Sequence, residues 1–256
     1  MKVGDLISLR NDKKKIIYVI LKINDGNVIV KGLNHRIKMS VSTDDIMPAT
    51  NNEIEIEEKA KKNYQNRLIK KTRENNTIKP LFGRILHIDG DEEYLNNCLE
   101  LYKEIGIHAD GIYIDEDKVK DKIEQIIDEL TPDIVVITGH DIYNGKGLKE
   151  ISNYENTRYF METIRKIRKH YMLDDLCIIA GACGSNYEAL IASGANFASS
   201  PKRINIHTYD PAVIAIKVAS TSINKTIDFE SCLKLIENGR NAFGGIETKG
   251  KMRIFL

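Results

Sequence analysis

One cysteine and one histidine stand where their side chains could act as a nucleophile and a base. Cys183 lies in the stretch IIAGACGSNYEAL (178–190), and His140 directly follows DIVVITG (133–139). A thiol needs a base or a cation nearby to become a good nucleophile, and an imidazole can supply either. The same residues also fit plainer roles, His140 as a hydrogen-bonded loop residue and Cys183 as a small residue packed in a crowded turn.

The elements that must position these two residues form an alternating pattern of strands and helices from residue 81 onward. The strand candidates are GRILHI (83–88), ADGIYI (109–114), DIVVITG (133–139), LCIIAG (176–181) and ANFASS (195–200). Helical patterns lie between them at about 91–105, 117–130, 153–171 and 185–193, followed by a helix starting near Asp210-Pro211 and another at 228–238. This alternation predicts an α/β fold with a doubly wound, mostly parallel sheet.

In such a sheet, functional groups gather just beyond the carboxyl ends of the strands. His140 and Cys183 each follow a predicted strand, so both would lie at one edge of the sheet if those strands are neighbours. Gly181, Ala182 and Gly184 keep the turn around Cys183 free of bulk. The positions therefore favour catalysis over a packing role.

The first 79 residues have a different character. Short runs rich in Val and Ile fill residues 3–48, and Asn24-Asp25-Gly26-Asn27 is a strong hairpin signal. This pattern predicts a small SH3-like β-barrel over residues 1–50. Residues 51–79 are highly charged and favour a helix, so they predict a solvated helical linker to an α/β domain at 80–256.

Composition excludes several classes of protein. Apolar residues make up 42% of the 256 residues, and no apolar run approaches the length of a membrane span. The N-terminus has no long apolar signal segment, which predicts a cytoplasmic protein at synthesis. The four cysteines, at 98, 177, 183 and 232, fit no zinc-binding spacing.

Charge divides unevenly along the chain. Residues 1–80 carry 17 Lys and Arg against 10 Asp and Glu, a net charge of +7. The remainder carries 21 against 27, a net charge of −6. A moderately acidic second part suits a basic partner or substrate, although ordinary surface variation explains the charge equally well.

Two peptidase families share these motifs. Caspases place a cysteine after Ala with a histidine about 50 residues upstream, and Ala182-Cys183 with His140 is similar to that arrangement. Nearly the whole chain resembles the YabG family of sporulation-specific cysteine peptidases. The most specific part of this resemblance runs from AGACGSNYEALIASGANFASSPKRINIH to the YDP that ends at Pro211, and VVITGHD, LHIDGD, NYENTRYFMETIRKIRKHY, VGDLISLR and VKGLNHRIKMSVSTDDI add to it.

The resemblance implies a caspase-like α/β domain and a set of roles. Cys183 would be the nucleophile and His140 its base and later acid, and the backbone N–H groups of Cys183 and Asp141 would form the oxyanion hole. The family implies no cofactor and no metal. Its substrates would be spore coat or cortex-associated proteins cleaved after arginine, with the enzyme associated with the developing spore coat and no nucleic acid as partner.

An arginine side chain in the substrate requires a carboxylate in a partly closed pocket. Asp89 and Asp91, in HIDGD, are the first candidates for this S1 contact, and Asp210 and Asp141 are rivals. The same Asp-Gly-Asp would also serve as a turn and helix N-cap. An arginine-directed peptidase is also expected to cut its own linker near Arg67 and Arg73.

Two alternative functions stay open. A glutamine amidotransferase-like enzyme also sets a cysteine on a strand–helix turn, but its histidine follows the cysteine in sequence, and His207 has the wrong spacing for that role. A phosphate-binding α/β module could use AGACGS at a helix N-terminus. The chain has neither the Lys-Ser/Thr ending of a P-loop nor a G-x-G-x-x-G fingerprint.

Overall fold

The chain divides into two compact units. The computed structural model describes residues 1–10, 12, 15–24, 26–73 and 80–255. The first unit is Met1–Arg67 and the second is Leu68–Leu256. Each is described below by itself.

The first unit contains a five-stranded antiparallel sheet. Its strands are β1 (Leu6–Leu9), β2 (Tyr18–Asn24), β3 (Asn27–Gly32), β4 (Lys38–Ser42) and β5 (Ile46–Pro48). They pair in the order β4-β3-β2-β1-β5 and enclose a cluster of buried Ile, Val and Tyr side chains. Asn24 pairs with Asn27, so β2 and β3 form the predicted hairpin, while Asp25 lies outside the described residues. The SH3-like assignment stays a prediction.

Helix α1 (Asn51–Arg73) covers most of the predicted linker. It begins with a reciprocal cap, in which Glu53 Oε2 accepts from the Thr50 N–H and the Thr50 hydroxyl accepts from the Glu53 N–H. Most of its side chains are exposed, as the charged composition predicts. Residues 74–79, the end of the predicted linker, lie outside the described residues.

The second unit is built on a six-stranded sheet. Its strands are β7 (Ile85–Asp89), β8 (Ala109–Tyr113), β9 (Ile134–Thr138), β10 (Cys177–Ala180), β11 (Phe197–Ser199) and β12 (Phe243–Gly245). They pair in the order β8-β7-β9-β10-β11-β12, and every pair is parallel except β11 with β12. The predicted α/β fold with a mostly parallel sheet is confirmed. A separate two-stranded sheet joins β6 (Pro80–Leu81) to β13 (Arg253–Ile254).

Helices lie on both faces of this sheet. They are α2 (Glu92–Ile105), α3 (Val119–Leu130), α4 (Thr157–Ile167), α5 (Tyr187–Ala192), α6 (Asp210–Ser220) and α7 (Phe229–Leu233). Apolar residues of α3, α4 and α5 share one core with alternate residues of the strands, such as Ile88, Ile137 and Ile178. Helices α2 and α6 pack together against the sheet from the opposite side. In the described part of the chain, no helix is long and apolar enough to cross a membrane.

The strand order changes direction at one point of the sheet. From β7 the chain goes first to β8 on one side and then to β9, β10 and β11 on the other. The carboxyl ends of β7 and β9 therefore flank a point where the winding direction reverses. Such switch points leave an opening beyond the strand ends, where ligands bind in open α/β sheets.

Asn196 joins three parts of the second unit through its buried side chain. Its Oδ1 accepts hydrogen bonds from the Ile178 N–H at 2.8 Å and from Arg168 Nη2 at 2.7 Å. Its Nδ2 donates to the Leu173 carbonyl at 3.2 Å. The amide thus links the start of β11 to β10 and to the end of α4.

We expect Asn196→Ala to lower the free energy of unfolding by about 3 kcal/mol, because it leaves the buried Ile178 N–H without a partner. Urea unfolding monitored by circular dichroism measures this loss. Asn224→Ala removes an exposed asparagine side chain and should change the stability by less than about 0.5 kcal/mol. Equal effects of the two substitutions would contradict the prediction.

Candidate active site

His140 and Cys183 follow neighbouring strands at matching positions. Strands β9 and β10 are parallel partners, with Ile137 opposite Ala180. His140 lies three residues after Ile137, and Cys183 lies three residues after Ala180. Because adjacent strands run about 4.8 Å apart, the two residues leave the sheet side by side at its carboxyl edge.

Small residues and hydroxyl groups shape the tight turn that carries Cys183. Gly181 has a φ of +107°, and a Cβ atom there would lie 2.4 Å from Ser199 Oγ. The Ser185 hydroxyl accepts from the Ala182 N–H at 2.9 Å, and the Ser199 hydroxyl donates to the Ala182 carbonyl at 2.8 Å. These contacts fix the backbone on the N-terminal side of Cys183, whose own exposure is 4%.

A segment that we name the cover loop, residues 200–206, lies against the thiol. The Ile206 N–H donates to Cys183 Sγ at 3.2 Å. The Gly184 N–H, directly after the cysteine, donates to Ser200 Oγ at 3.0 Å, and the Ser200 hydroxyl donates to the Ile204 carbonyl at 2.7 Å. The cover loop therefore occupies the sulfur of Cys183 and the N–H group of the residue that follows it.

Arg203 anchors the cover loop. Its guanidinium donates to the Tyr154 hydroxyl at 3.0 Å and to the Ser200 carbonyl at 3.2 Å, and it forms an ion pair with Glu188. Ser200 and Arg203 have φ angles of +58° and +52°, in the left-handed region that is unfavourable for residues other than glycine. The anchoring bonds offset this local strain.

His140 is held at its backbone and at one ring nitrogen. Its N–H donates to Glu116 Oε1 at 2.6 Å, and its carbonyl accepts from Asn156 Nδ2 at 2.8 Å. Ring nitrogen Nε2 lies 3.1 Å from Asp91 Oδ2. The other ring nitrogen, Nδ1, is buried and has no hydrogen-bond partner within the described part of the chain.

The Asp141 side chain braces the site. Its carboxylate accepts from the N–H groups of Ile142 and Asn156, at 3.0 and 2.8 Å, and from the hydroxyls of Thr157 and Ser185. Burial raises the pKa of this carboxyl group above its usual range, while the four hydrogen bonds oppose that shift. The Asp141 side chain thus joins the loop after β9, the start of α4 and the turn around Cys183. The oxyanion role predicted for Asp141 concerns its backbone N–H group and stays a prediction.

The S1 candidates Asp89, Asp91 and Asp210, like their rival Asp141, all have internal partners. Asp89 and Asp210 are fully buried: Asp89 accepts from the Thr138 hydroxyl at 2.8 Å, and Asp210 accepts from the His207 N–H at 2.8 Å. Asp91 caps helix α2, with Oδ1 accepting from the Glu93 N–H at 3.1 Å. Their roles as arginine contacts stay predictions. Because Asp89 and Asp210 are fully buried, a substrate could reach them only if the residues that cover them at the edge of the sheet move.

Glu116 is a residue of the site that the sequence analysis did not single out. Besides accepting from the His140 N–H, its carboxylate occupies space beside two glycines, where a Cβ atom would lie 2.4 Å (Gly90) or 2.2 Å (Gly139) from Oε1. Burial raises the pKa of this carboxyl group. Its position just after β8, at the same sheet edge as His140, is a signal that could have identified it.

The other cysteines lack the setting of Cys183. Cys177 lies within β10 and Cys232 within α7, and burial raises the pKa of each thiol to about 12. Cys98 is fully buried in α2. Within the described ranges there is also no group of three or more His, Cys, Asp or Glu side chains that could hold a metal ion.

Comparison with known proteins gives two matches. The family model described as YabG peptidase U57 matches residues 2–256. The sporulation-specific protease YabG of Bacillus subtilis (strain 168) is similar to this chain, with 45% identity over 175 residues. That match covers 67% of this chain and 60% of the relative's length.

The buried Glu116 carboxyl group predicts a pH dependence of stability. A carboxyl group whose pKa is raised by folding contributes its full stability below its unfolded pKa and loses that stability as the pH rises through the folded pKa. Glu116→Gln keeps an oxygen for the His140 N–H but cannot ionise. We therefore expect the stability of the unmodified protein relative to Glu116→Gln to fall as the pH rises above about 4, the ordinary pKa of an unfolded Glu.

Urea unfolding of both proteins across this pH range measures the difference. Glu155→Gln, at an exposed carboxylate, is the matched control and should run parallel to the unmodified protein. A difference between the unmodified protein and Glu116→Gln that stays constant with pH would contradict the prediction. Asp89 and His140 both act on Glu116 electrostatically, and both substitutions leave them in place.

Proposed function

Because this chain belongs to the YabG peptidase U57 family, we propose that it is a cysteine endopeptidase that acts in sporulation. The observation that supports the chemical part of this proposal is the register of β9 and β10, in which His140 and Cys183 each follow the cross-strand pair Ile137–Ala180 by three residues. A cysteine–histidine dyad needs its two side chains close together, since the imidazole must take the proton of the thiol.

The proposed reaction uses the two side chains in turn. Cys183 gives its thiol proton to His140, and the thiolate attacks the carbonyl carbon of the scissile peptide bond. The backbone N–H groups of Cys183 and Asp141 stabilise the negative oxygen of the tetrahedral intermediate. The C–N bond then breaks, the imidazolium protonates the leaving amine, and water hydrolyses the thioester with His140 as base.

The cover loop must move before a substrate can react. Ile206 donates a hydrogen bond to the Cys183 sulfur, and Ser200 accepts one from the Gly184 N–H. A peptide carbonyl placed against Cys183 would compete with these contacts. We infer that substrate binding displaces residues 200–206 while the rest of the turn stays fixed by Ser185 and Ser199.

The finer fold assignments belong to the same proposal. The mostly parallel sheet with His140 and Cys183 after adjacent strands supports a caspase-like peptidase domain at 80–256. The five-stranded antiparallel sheet supports an SH3-like barrel at 1–50, and α1 supports a helical linker at 51–79. Two departures from the caspase pattern remain: Asp141 follows His140 where glycine is usual, and Gly181 replaces the glutamine before Ala-Cys.

Substrates and location are proposed from the family. We propose spore coat or cortex-associated proteins as substrates, cleavage after arginine, and an enzyme made in the cytoplasm that associates with the developing coat. Asp89, Asp91 and Asp210 stay the candidates for the arginine contact. Self-cleavage of the linker also stays a prediction: Arg67 and Arg73 lie within α1, and the segment 74–79 after them lies outside the described residues.

We expect Cys183→Ala and His140→Ala each to lower kcat/KM for peptide hydrolysis by several orders of magnitude, because a nucleophile and its base act as a unit. Cys177→Ala is the matched control, since it removes a thiol from the same strand–turn segment and should leave most activity. Circular dichroism verifies that each variant folds. Hydrolysis by purified Cys183→Ala at the rate of the unmodified protein would refute the proposed function.

We expect substrates with arginine before the scissile bond to react at least about tenfold faster, in kcat/KM, than those with lysine. Lysine cannot make a two-point contact with a carboxylate, and tenfold corresponds to about 1.4 kcal/mol. Matched peptides that differ only at this residue, followed by mass spectrometry of the products, measure the ratio. Equal rates for arginine and lysine would contradict recognition by a two-point contact.

A further inference from the structure

We propose that Asp91 is the positioning residue for His140, which fixes the imidazole so that Nδ1 is the nitrogen that exchanges a proton with Cys183. This assignment rests on the proposed function. It gives Asp91 a role distinct from the arginine contact suggested by its sequence position. The geometry that points to it is the 3.1 Å contact between Asp91 Oδ2 and His140 Nε2.

The Asp91 carboxylate is itself fixed in place. Its Oδ1 accepts from the N–H groups of Glu93 and Tyr94, at 3.1 and 3.2 Å, at the start of α2. Its own backbone N–H donates to Asp89 Oδ1 at 3.0 Å. With one oxygen capping the helix, the other oxygen faces the imidazole, and the side chains of Asp91 and His140 are each only 11% exposed.

The contact sets the position of the ring proton. An ionised carboxylate only accepts hydrogen bonds, so the nitrogen that faces it carries the proton. That nitrogen is Nε2, and Nδ1 is then the basic nitrogen. Nδ1 is buried and makes no hydrogen bond to any residue that the structure describes, which leaves it available to the thiol proton.

The backbone of His140 is already fixed by other residues. Glu116 accepts from its N–H and Asn156 donates to its carbonyl, so the remaining freedom of the residue is rotation of its side chain. The Tyr94 ring packs against the imidazole with centroids 5.7 Å apart, and the contact with Asp91 fixes the orientation. The four contacts together hold both the residue and its ring.

Asp91 takes no proton in the proposed reaction, in which the proton moves only between Cys183, His140 and the leaving amine. The thiol proton moves from Cys183 to Nδ1, and the imidazolium that forms carries its positive charge beside the Asp91 carboxylate. When the C–N bond breaks, the same proton passes from Nδ1 to the leaving amine. Asp91 therefore stabilises the charged ring without gaining or losing a proton.

Asparagine and serine at position 91 separate this role from helix capping. Asp, Asn and Ser cap helices about equally well, so a purely structural residue would tolerate both changes. Asn would keep the cap but offer its NH₂ group to Nε2, which favours the tautomer with the proton on Nδ1. Ser would keep the cap and leave Nε2 without the carboxylate, so that both tautomers can form.

We expect Asp91→Asn to lower kcat/KM by about 10²- to 10⁴-fold with little change in KM, on the scale of the equivalent change in a Ser-His-Asp triad. Asp91→Ser should lose less activity than Asp91→Asn. Both should keep their thermal unfolding midpoint within a few degrees. If one variant does not fold, the other still tests the proposal. A loss in kcat/KM of less than about twofold in a folded variant would overturn it.

A KM effect would identify the competing role. If Asp91 contacted a substrate arginine, both substitutions would raise KM for arginyl peptides and reduce the preference for arginine over lysine, with kcat nearly unchanged. That result would also overturn the proposal. The measurement uses the full chain and the matched arginyl and lysyl peptides.

Alkylation by iodoacetamide gives a readout that does not require peptide hydrolysis. The rate of labelling at Cys183, located by mass spectrometry, follows the amount of thiolate. In the unmodified protein we expect labelling to persist well below the usual thiol range, near pH 8.5, and to shift to higher pH in Asp91→Asn. Glu116, which interacts electrostatically with both His140 and Asp89, is unchanged in these variants, and so is Asp89.

The two readouts distinguish failure of this proposal from failure of the proposed function. If the unmodified protein labels Cys183 only at ordinary thiol pH and cleaves no peptide, the proposed function itself fails. If it cleaves peptides and Asp91→Asn has the same activity and the same labelling profile, only the role of Asp91 fails. A loss of activity together with a shifted labelling profile in Asp91→Asn supports the role.

Discussion

The Asp141 carboxylate is the interaction on which the arrangement of the candidate site depends. A charged group taken out of water is costly unless hydrogen bonds compensate it, and Asp141 has four such bonds. Its donors come from the loop after β9, from the start of α4 and from Ser185 in the turn that carries Cys183. The carboxylate therefore holds together segments that are far apart in sequence, and the positions of His140 and Cys183 follow from it.

Strand pairing supplies the rest of that arrangement. The register of β9 with β10 fixes where the loops that carry His140 and Cys183 leave the sheet. The hydrogen bonds of Asp141 then connect these two loops to each other. Glu116 and Asp91 then hold His140 at its backbone and its ring. Asp141, Glu116 and Asp91 therefore have different roles, and each role depends on the groups that the carboxylate contacts.

Much of the fold was predictable because apolar runs record burial directly. All five predicted strands of the α/β unit correspond to strands. Four of them are buried along their whole length, as in a parallel sheet covered on both faces, whereas the edge strand β8 is only partly buried. Strand β12 was not predicted: Phe243–Gly245 has three residues, two of them glycines, and it exists through pairing with β11. Helix α7 is shorter than the predicted 228–238 and ends at Leu233.

The candidate site was predictable only in part for a physical reason. Strand ends identified His140 and Cys183, but the partner of Asp91 lies 49 residues away in sequence, and no local pattern distinguishes a cap, an imidazole partner and an arginine contact. The same limit applies to Glu116, whose contact with His140 spans 24 residues. The contact of the cover loop with the thiol was not predictable, because it depends on the fold of residues 200–206.

The cover loop already provides hydrogen-bond partners for the Cys183 sulfur and the Gly184 N–H. The Cys183 sulfur accepts from the Ile206 N–H, and the Gly184 N–H donates to Ser200 Oγ, so a substrate would have to replace these two hydrogen bonds. Under the proposed function, an incoming chain gains access only by offering a backbone amide and carbonyl in place of those it displaces. An extended segment can do so, whereas the same residues inside a helix or sheet have already committed theirs. The cover loop would thus restrict cleavage to unfolded stretches of a substrate protein, independently of which side chains the enzyme recognises.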